Sequence, residues 1–153
     1  MKSFISEDDI EQAICNRLAL PEYGWTRIEC DPSAEAQDDV SRTGRSASSE
    51  CILPDVLLSS LKRLNPQIDE KILKDIVRDF RRDFSGTDLV DTNYRLYGQI
   101  RNGVNVKVLR DGKEDFDIVR LIDFGNPLNN SFHCVNQMWI KGHYRYRRPD
   151  VLL

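Results

Sequence analysis

The sequence lacks the features that define several classes of protein. Its 153 residues contain no apolar run near the ~20 residues that a membrane-spanning helix needs, so no membrane contact is expected. The first residues do not form the apolar core of a signal peptide, and we therefore expect a cytoplasmic protein. Histidine occurs only twice, and the formal net charge of −3 excludes a histone-like basic protein.

The cysteines lack the spacing of a zinc site or a redox motif. The chain has four of them, Cys15, Cys30, Cys51 and Cys134, and no two are close in sequence. Zinc sites and redox motifs usually place two cysteines about two to four residues apart. The sequence therefore predicts four free thiols and no zinc ion.

The eight glycines are scattered, and none belongs to a glycine-rich loop that ends in Lys-Ser or Lys-Thr. A phosphate-binding motor motif is therefore absent from this sequence. The length suits a single domain over residues 1–153, because 40% hydrophobic residues are enough for one core.

Hydrophobic spacing predicts four helices. Ser6 is a candidate N-cap for the first, with Asp9 as its capping-box partner, and Asp69 is a candidate N-cap for the third. The predicted helices span residues 7–19, 54–64, 70–82 and 91–102.

Alternating apolar residues and turn signals predict five extended segments. They cover residues 23–28, 104–108, 118–124, 132–140 and 149–153. We expect a hairpin turn at Asp111-Gly112 and a local turn at Asp123, whose side chain would bond nearby amides. Residues 31–49 are rich in small and polar side chains and are expected to be a flexible loop. The fold class is α+β, with a twisted, mostly antiparallel or mixed sheet flanked by helices.

Two carboxylates are candidates for a metal site. Asp150 begins the last apolar segment, and a carboxylate on a strand can bind Mg²⁺ when a second carboxylate lies nearby. Glu11 borders the expected apolar face of the first helix, formed by Ile10, Ala13, Ile14 and Leu18. Taken alone, Asp150 could equally be a salt-bridged surface residue. Glu11 must have a partner, either in a salt bridge or in a site.

A basic and aromatic segment lies close to Asp150 in the sequence. Its cations are Lys141, Arg145, Arg147 and Arg148. Lysine and arginine side chains at such a patch can bind a phosphate backbone while aromatic rings contact sugars or bases. The alternative is that these residues form the solvent-facing side of a strand.

Several segments together resemble a known family. They are Ser6 to Ala13, Val119 to Pro127, Asn129 to Phe132, Val135 to Gln137 and Arg147 to Asp150. In this order and spacing, they are similar to the N-terminal region of type I restriction endonuclease R subunits. The resemblance implies a restriction-endonuclease-like fold and a nuclease domain of the PD-(D/E)XK type. Such a domain cuts DNA with Mg²⁺ after a helicase-like motor, which uses ATP, has moved along the DNA.

The resemblance also implies roles for individual residues. Asp150 would be the first metal-binding carboxylate, and Glu11 the helix acid that lies beside the metal in some members. An acid and a lysine on a following strand would complete the site, but residues 1–153 do not include them. We therefore expect a chain cut off after the strand of Asp150, with weak metal affinity and no activity by itself.

The resemblance further implies DNA and the modification and specificity subunits of a restriction complex as partners. A homodimer that pairs the exposed terminal strand is also expected. Two other interpretations stay open at this stage. One is a non-catalytic module that docks on DNA or on another subunit, and the other is a structural remnant without a ligand.

Overall fold

In the computed structural model, residues 5–30, 38–82, 87–142 and 145–153 are described. They divide between two compact units, one from Met1–Cys51 with Ser131–Leu153 and the other from Ile52–Asn130. The α+β fold class is confirmed, because helices occur beside mixed and antiparallel sheets. The prediction of a single domain stays a prediction.

In its described residues, the first unit contains two helices and five strands. These are α1 (Glu7–Leu18), β1 (Thr26–Glu29), α2 (Asp38–Thr43), β4 (His133–Asn136), β5 (Ile140–Lys141), β6 (Tyr146–Arg147) and β7 (Val151–Leu152). A three-stranded sheet has the order β1-β4-β7, in which β4 runs parallel to β1 and antiparallel to β7. The strands β5 and β6 form a separate antiparallel pair.

The described part of the second unit contains three helices and one hairpin. These are α3 (Pro54–Leu64), α4 (Glu70–Phe80), α5 (Leu89–Asn102), β2 (Val104–Arg110) and β3 (Lys113–Val119), followed by a short 3-10 helix at Pro127–Asn129. Leu61, Leu73 and Val119 lie at the centre of its apolar core. The hairpin turn at Asp111-Gly112 is confirmed, since both residues have positive φ, which the tight turn between β2 and β3 requires.

The helix predictions hold with small shifts at the ends. Ser6 and Asp9 form the predicted capping box of α1, and Asp69 caps α4. The start of α5 was predicted at Asp91 but lies at Leu89, because the side chain of Asp88 accepts the first free amide hydrogens. Among the described residues, no helix is long and apolar enough to cross a membrane.

The predicted apolar face of α1 is wrong. Ile10 and Ile14 are 53% and 46% exposed, whereas Glu11 and Cys15 are the buried residues of this helix. A helix pattern shows which side chains share a face, but the partners beneath that face decide which one is buried. Here the partners are the polar and thiol groups of β4, not an apolar surface.

Two extended segments and one loop also differ from their predictions. The segment 132–140 is split into β4 and β5, because Gln137 takes a φ of 55° that ends the first strand. The segment 118–124 is a strand only as far as Val119, where β3 ends. Of the predicted loop 31–49, residues 38–43 form α2, and residues 31–37 lie outside the described residues.

Candidate functional site

A polar cavity of about 330 Å³ lies in the first unit. Its walls come from α1, from β1, from the end of β4 and from the segment before β7. Seven charged residues line it: Glu7, Asp8, Glu11, Glu29 and Asp150 with carboxylates, and Arg27 and Arg148 with guanidinium groups. This excess of carboxylates favours a cation in the cavity.

Glu11 is the buried one of the five carboxylates that line the cavity. It is 7% exposed, and its carboxylate accepts hydrogen bonds from Asn136 Nδ2 at 2.8 Å and Gln137 Nε2 at 2.7 Å. Among the described residues Glu11 makes no ion pair, so its partners are neutral amides. The salt-bridge alternative for Glu11 therefore has no support among the described residues, and two amide groups are its hydrogen-bond partners instead.

Gln137 connects the two predicted site carboxylates. Its Nε2 also donates to Asp150 Oδ1 at 3.3 Å, and its backbone N–H donates to the carbonyl oxygen of Asp150 at 3.0 Å. Because one amide nitrogen contacts both acids, Glu11 and Asp150 lie on either side of the same small group. The structure therefore brings together two candidate residues that are 139 positions apart in the sequence.

Asn136 contributes a second unusual feature. It is 3% exposed, and within the described part of the chain its Oδ1 atom has no hydrogen-bond partner. A buried amide oxygen without a donor costs free energy, on the order of 1–3 kcal/mol. This oxygen belongs to a residue that lines the carboxylate cavity, so the donor set fits a hard cation that prefers oxygen ligands.

The described residues by themselves do not form a full metal site. No group of three or more His, Cys, Asp or Glu side chains among them is arranged to hold a metal ion. Two carboxylates are nevertheless sufficient for Mg²⁺, which keeps several water ligands and binds through one or two carboxylates. The residues present fit a weak magnesium site rather than a closed cage.

The four predicted DNA-binding cations lie beside the cavity and on the small β5–β6 pair. Lys141 is in β5, Arg147 is in β6 and Arg145 lies just before it, and all four cations are exposed. Arg148 lies over the ring of Trp139, 5.1 Å from its centroid, and lines the cavity. In the described residues Lys141, Arg145 and Arg147 make no ion pair, so no carboxylate of the described chain offsets their charge.

Two tryptophan side chains of this unit pack against other aromatic rings. Trp139 is half-buried, and its ring packs edge-on against Tyr146 with the ring centroids 6.1 Å apart. Trp25 is half-buried and stacks on Phe132, with the ring centroids 5.2 Å apart. His143 and Tyr144, which belong to the basic and aromatic segment, lie outside the described residues.

Two site features were missed by the sequence reasoning. Asn136 and Gln137 belong to a segment of the family resemblance, but neither was selected as a site residue. Asn136 ends the buried strand β4 and Gln137 follows it, and polar residues at the end of a strand are often placed for function. The strand end and the resemblance were the two signals available in the sequence.

The fold is of the α+β class, with a mixed sheet and a charged site. A helix that buries a glutamate and an acidic cavity beside basic strands form this site. Comparison with known proteins identifies the family. Residues 4–153 match the family described as "Type I restriction enzyme R protein N terminus", and the chain belongs to this family. The resemblance seen in the sequence is thereby confirmed.

One curated relative illustrates the extent of the match. The chain is 30% identical over 149 residues to the "Type I restriction enzyme HindI endonuclease subunit" of Haemophilus influenzae. The match covers 97% of this chain and 14% of the relative. The chain thus corresponds to the N-terminal part of such a subunit. No solved structure gives a significant match.

Proposed function

We propose that this chain is part of the DNA-cleaving domain of a type I restriction enzyme, with Glu11 and Asp150 on a Mg²⁺ ion. The observation that carries the proposal is the contact of both carboxylates with Gln137 Nε2, at 2.7 Å and 3.3 Å. Family membership supports an endonuclease subunit, and the acidic cavity supports a cation.

In this proposal, the acidic and the basic residues have different roles. Glu11 and Asp150 would hold the cation, and Gln137 would keep the two carboxylates at a fixed separation. The exposed cations of the β5–β6 pair would hold DNA phosphates, which the acidic cavity repels when it is empty of metal. When bound, Mg²⁺ would polarise the phosphodiester and lower the pKa of a water molecule.

The remaining expectations about the whole R subunit are proposals of the same kind. They are DNA cleavage by the full-length subunit, partnership with modification and specificity subunits, a cytoplasmic location, and pairing of two copies through β7. β7 is at the edge of its sheet and Leu153 is 75% exposed, which is compatible with such pairing.

Metal binding to the folded chain tests the site. Titration calorimetry with Mn²⁺ should show weak binding to the wild type, on the order of millimolar, since only two carboxylates are available. Asp150→Asn and Glu11→Gln should each abolish it. The control is Asp55→Asn, which removes an exposed carboxylate in the first turn of α3. A folded wild type that binds no Mn²⁺, or binding unaffected by both variants, would contradict the proposal.

DNA binding tests the basic patch separately. Fluorescence anisotropy with a duplex should show affinity that falls as salt rises, and Arg145→Gln or Arg147→Gln should lower the salt slope by about 1 each. Lys71→Gln, an exposed cation on α4, is the matched control and should leave the slope unchanged. Salt-dependent binding together with no metal effect in the calorimetry would favour a non-catalytic docking module.

A further inference from the structure

Two buried thiols connect α1 to β4 beside the carboxylate cavity. The Sγ atoms of Cys15 and Cys134 are 3.0 Å apart, although the residues are separated by 119 positions in sequence. Neither residue has any exposed surface. The function proposed above does not use either thiol, and the cysteine spacing in the sequence gave no reason to pair them.

We propose that Cys15 and Cys134 are a site of reversible disulfide formation that fastens α1 to β4. The structure supports this directly, because a disulfide needs a sulfur–sulfur distance of about 2.05 Å. Closing the gap from 3.0 Å requires a shift of only about 1 Å, which small side-chain rotations can supply. Both cysteines are free thiols in the structure, which is therefore the reduced state of the pair.

The oxidant is a small peroxide, and hydrogen peroxide balances the reaction. One sulfur attacks a peroxide oxygen and becomes a sulfenic acid, while the oxygen–oxygen bond breaks and water leaves. The second sulfur then attacks the first, the sulfur–oxygen bond breaks and a second water leaves. Two thiols lose two electrons and two protons in total. A dithiol reductant reverses the reaction by thiol–disulfide exchange.

Burial of the two thiols makes their oxidation slow and restricts it to small oxidants. Burial raises the pKa of the Cys134 thiol to about 12, and the adjacent Cys15 acts in the same direction. Bulky thiol reagents cannot reach either sulfur, because both residues are fully buried. Cys51 is the exposed cysteine, so alkylating reagents should modify it first. A small, uncharged oxidant is the class that can enter.

The position of the pair ties it to the candidate site. Cys15 lies one helical turn after Glu11 on α1, and Cys134 lies two residues before Asn136 on β4. Since Asn136 Nδ2 donates to Glu11, the thiol pair and the Glu11–Asn136 pair join the same two elements side by side. A disulfide would keep Glu11 at β4 even when the rest of the unit loosens.

Peptide mapping tests the proposal on the full chain. Trypsin places the four cysteines in four different peptides, with Cys15 in residues 3–17 and Cys134 in residues 121–141. After hydrogen peroxide treatment of the folded Cys30→Ser/Cys51→Ser variant, we expect these two peptides to be joined, with the loss of two hydrogen atoms from the intact mass. Dithiothreitol should restore both. A sulfoxide at Met138 adds oxygen but joins no peptides.

Thermal unfolding supplies the second measurement. The oxidised variant should melt several degrees higher, since the link closes a loop of 119 residues, and dithiothreitol should remove the shift. The matched control, in which Cys15→Ser is added, should show neither the joined peptides nor the shift. Free Cys15 and Cys134 after treatment that fully oxidises exposed Cys51 in the wild type would overturn the proposal, as would a link to Cys30 instead.

Discussion

Replacing Glu11 by alanine tests how the candidate site is held together. The substitution removes the acceptor of two short hydrogen bonds, 2.8 Å from Asn136 Nδ2 and 2.7 Å from Gln137 Nε2. Hydrogen bonds to a charged group contribute about 1.5–3 kcal/mol each. Asn136 is buried and would keep an unpaired donor, whereas the half-buried Gln137 can turn to water. We therefore expect a loss of ~2–4 kcal/mol.

Urea unfolding followed by circular dichroism measures this loss. The midpoint should fall while the slope of the transition stays the same, because the surface exposed on unfolding does not change. Glu7→Ala is the control, since Glu7 lines the same cavity from the first turn of α1 but is exposed. Its effect should stay within ~0.5 kcal/mol, as for most surface substitutions.

A double-mutant cycle separates the Glu11–Asn136 contact from the rest. Asn136→Ala removes the donor, and the two single losses should not add in the double variant. The coupling free energy should be about 1–3 kcal/mol. A loss below about 0.5 kcal/mol for Glu11→Ala, or fully additive losses, would show that these amides do not hold the carboxylate.

Three further predictions concern the second unit. Gly103→Ala should cost at least ~2 kcal/mol in chemical unfolding, because Gly103 has a φ of 86° and a Cβ there would lie 2.5 Å from Ile118 Cγ2 and 2.8 Å from the Val119 carbonyl oxygen. Leu73→Ala should cost about 2–5 kcal/mol by the same assay, since Leu73 is 1% exposed in the core. Hydrogen bonds from Asn129 and from two backbone amides lower the pKa of Asp123, so the stabilisation it provides is present above its unfolded pKa and is lost as pH falls through the lower folded pKa. Unfolding midpoints of wild type and Asp123→Asn should therefore differ at pH 6 and converge in strong acid.

The parts of the fold that local chemistry determines could be predicted from the sequence. The Ser6–Asp9 capping box joins residues three apart, with bonds of 3.1 Å and 2.9 Å. The turn at Asp123 is also confirmed, since its Oδ1 accepts the amides of Gly125 and Asn126 at 2.9 Å and 3.0 Å. In these cases every partner lies within a few residues, so a pattern in one segment contains the information.

The interior of the first unit depends instead on distant pairs. Glu11 bonds to Asn136 across 125 positions, and Cys15 meets Cys134 across 119. The hydrophobic spacing within one segment does not show which distant residue will lie opposite it in the fold. The pattern of α1 therefore indicated an apolar face that the structure leaves exposed. Asp150 and Glu11 were selected from their positions on a predicted strand and a predicted helix, and the family resemblance, which can report distant pairs, gave them their roles. Their shared contact with Gln137 supports the proposed site.

The two buried asparagines, Asn65 and Asn136, differ in how completely their amide groups are hydrogen-bonded. Asn65, in the second unit, has its amide fully used: Nδ2 donates to the carbonyl oxygens of Leu61 and Arg120, both at 2.9 Å, and Oδ1 accepts the Arg120 N–H at 2.8 Å. Asn136 donates to Glu11, but its Oδ1 has no partner among the described residues. An amide that only stabilises a fold is satisfied on both sides, because an unmet buried acceptor costs on the order of 1–3 kcal/mol. The unmet oxygen of Asn136, next to the buried carboxylate of Glu11, therefore supports the proposed cation site.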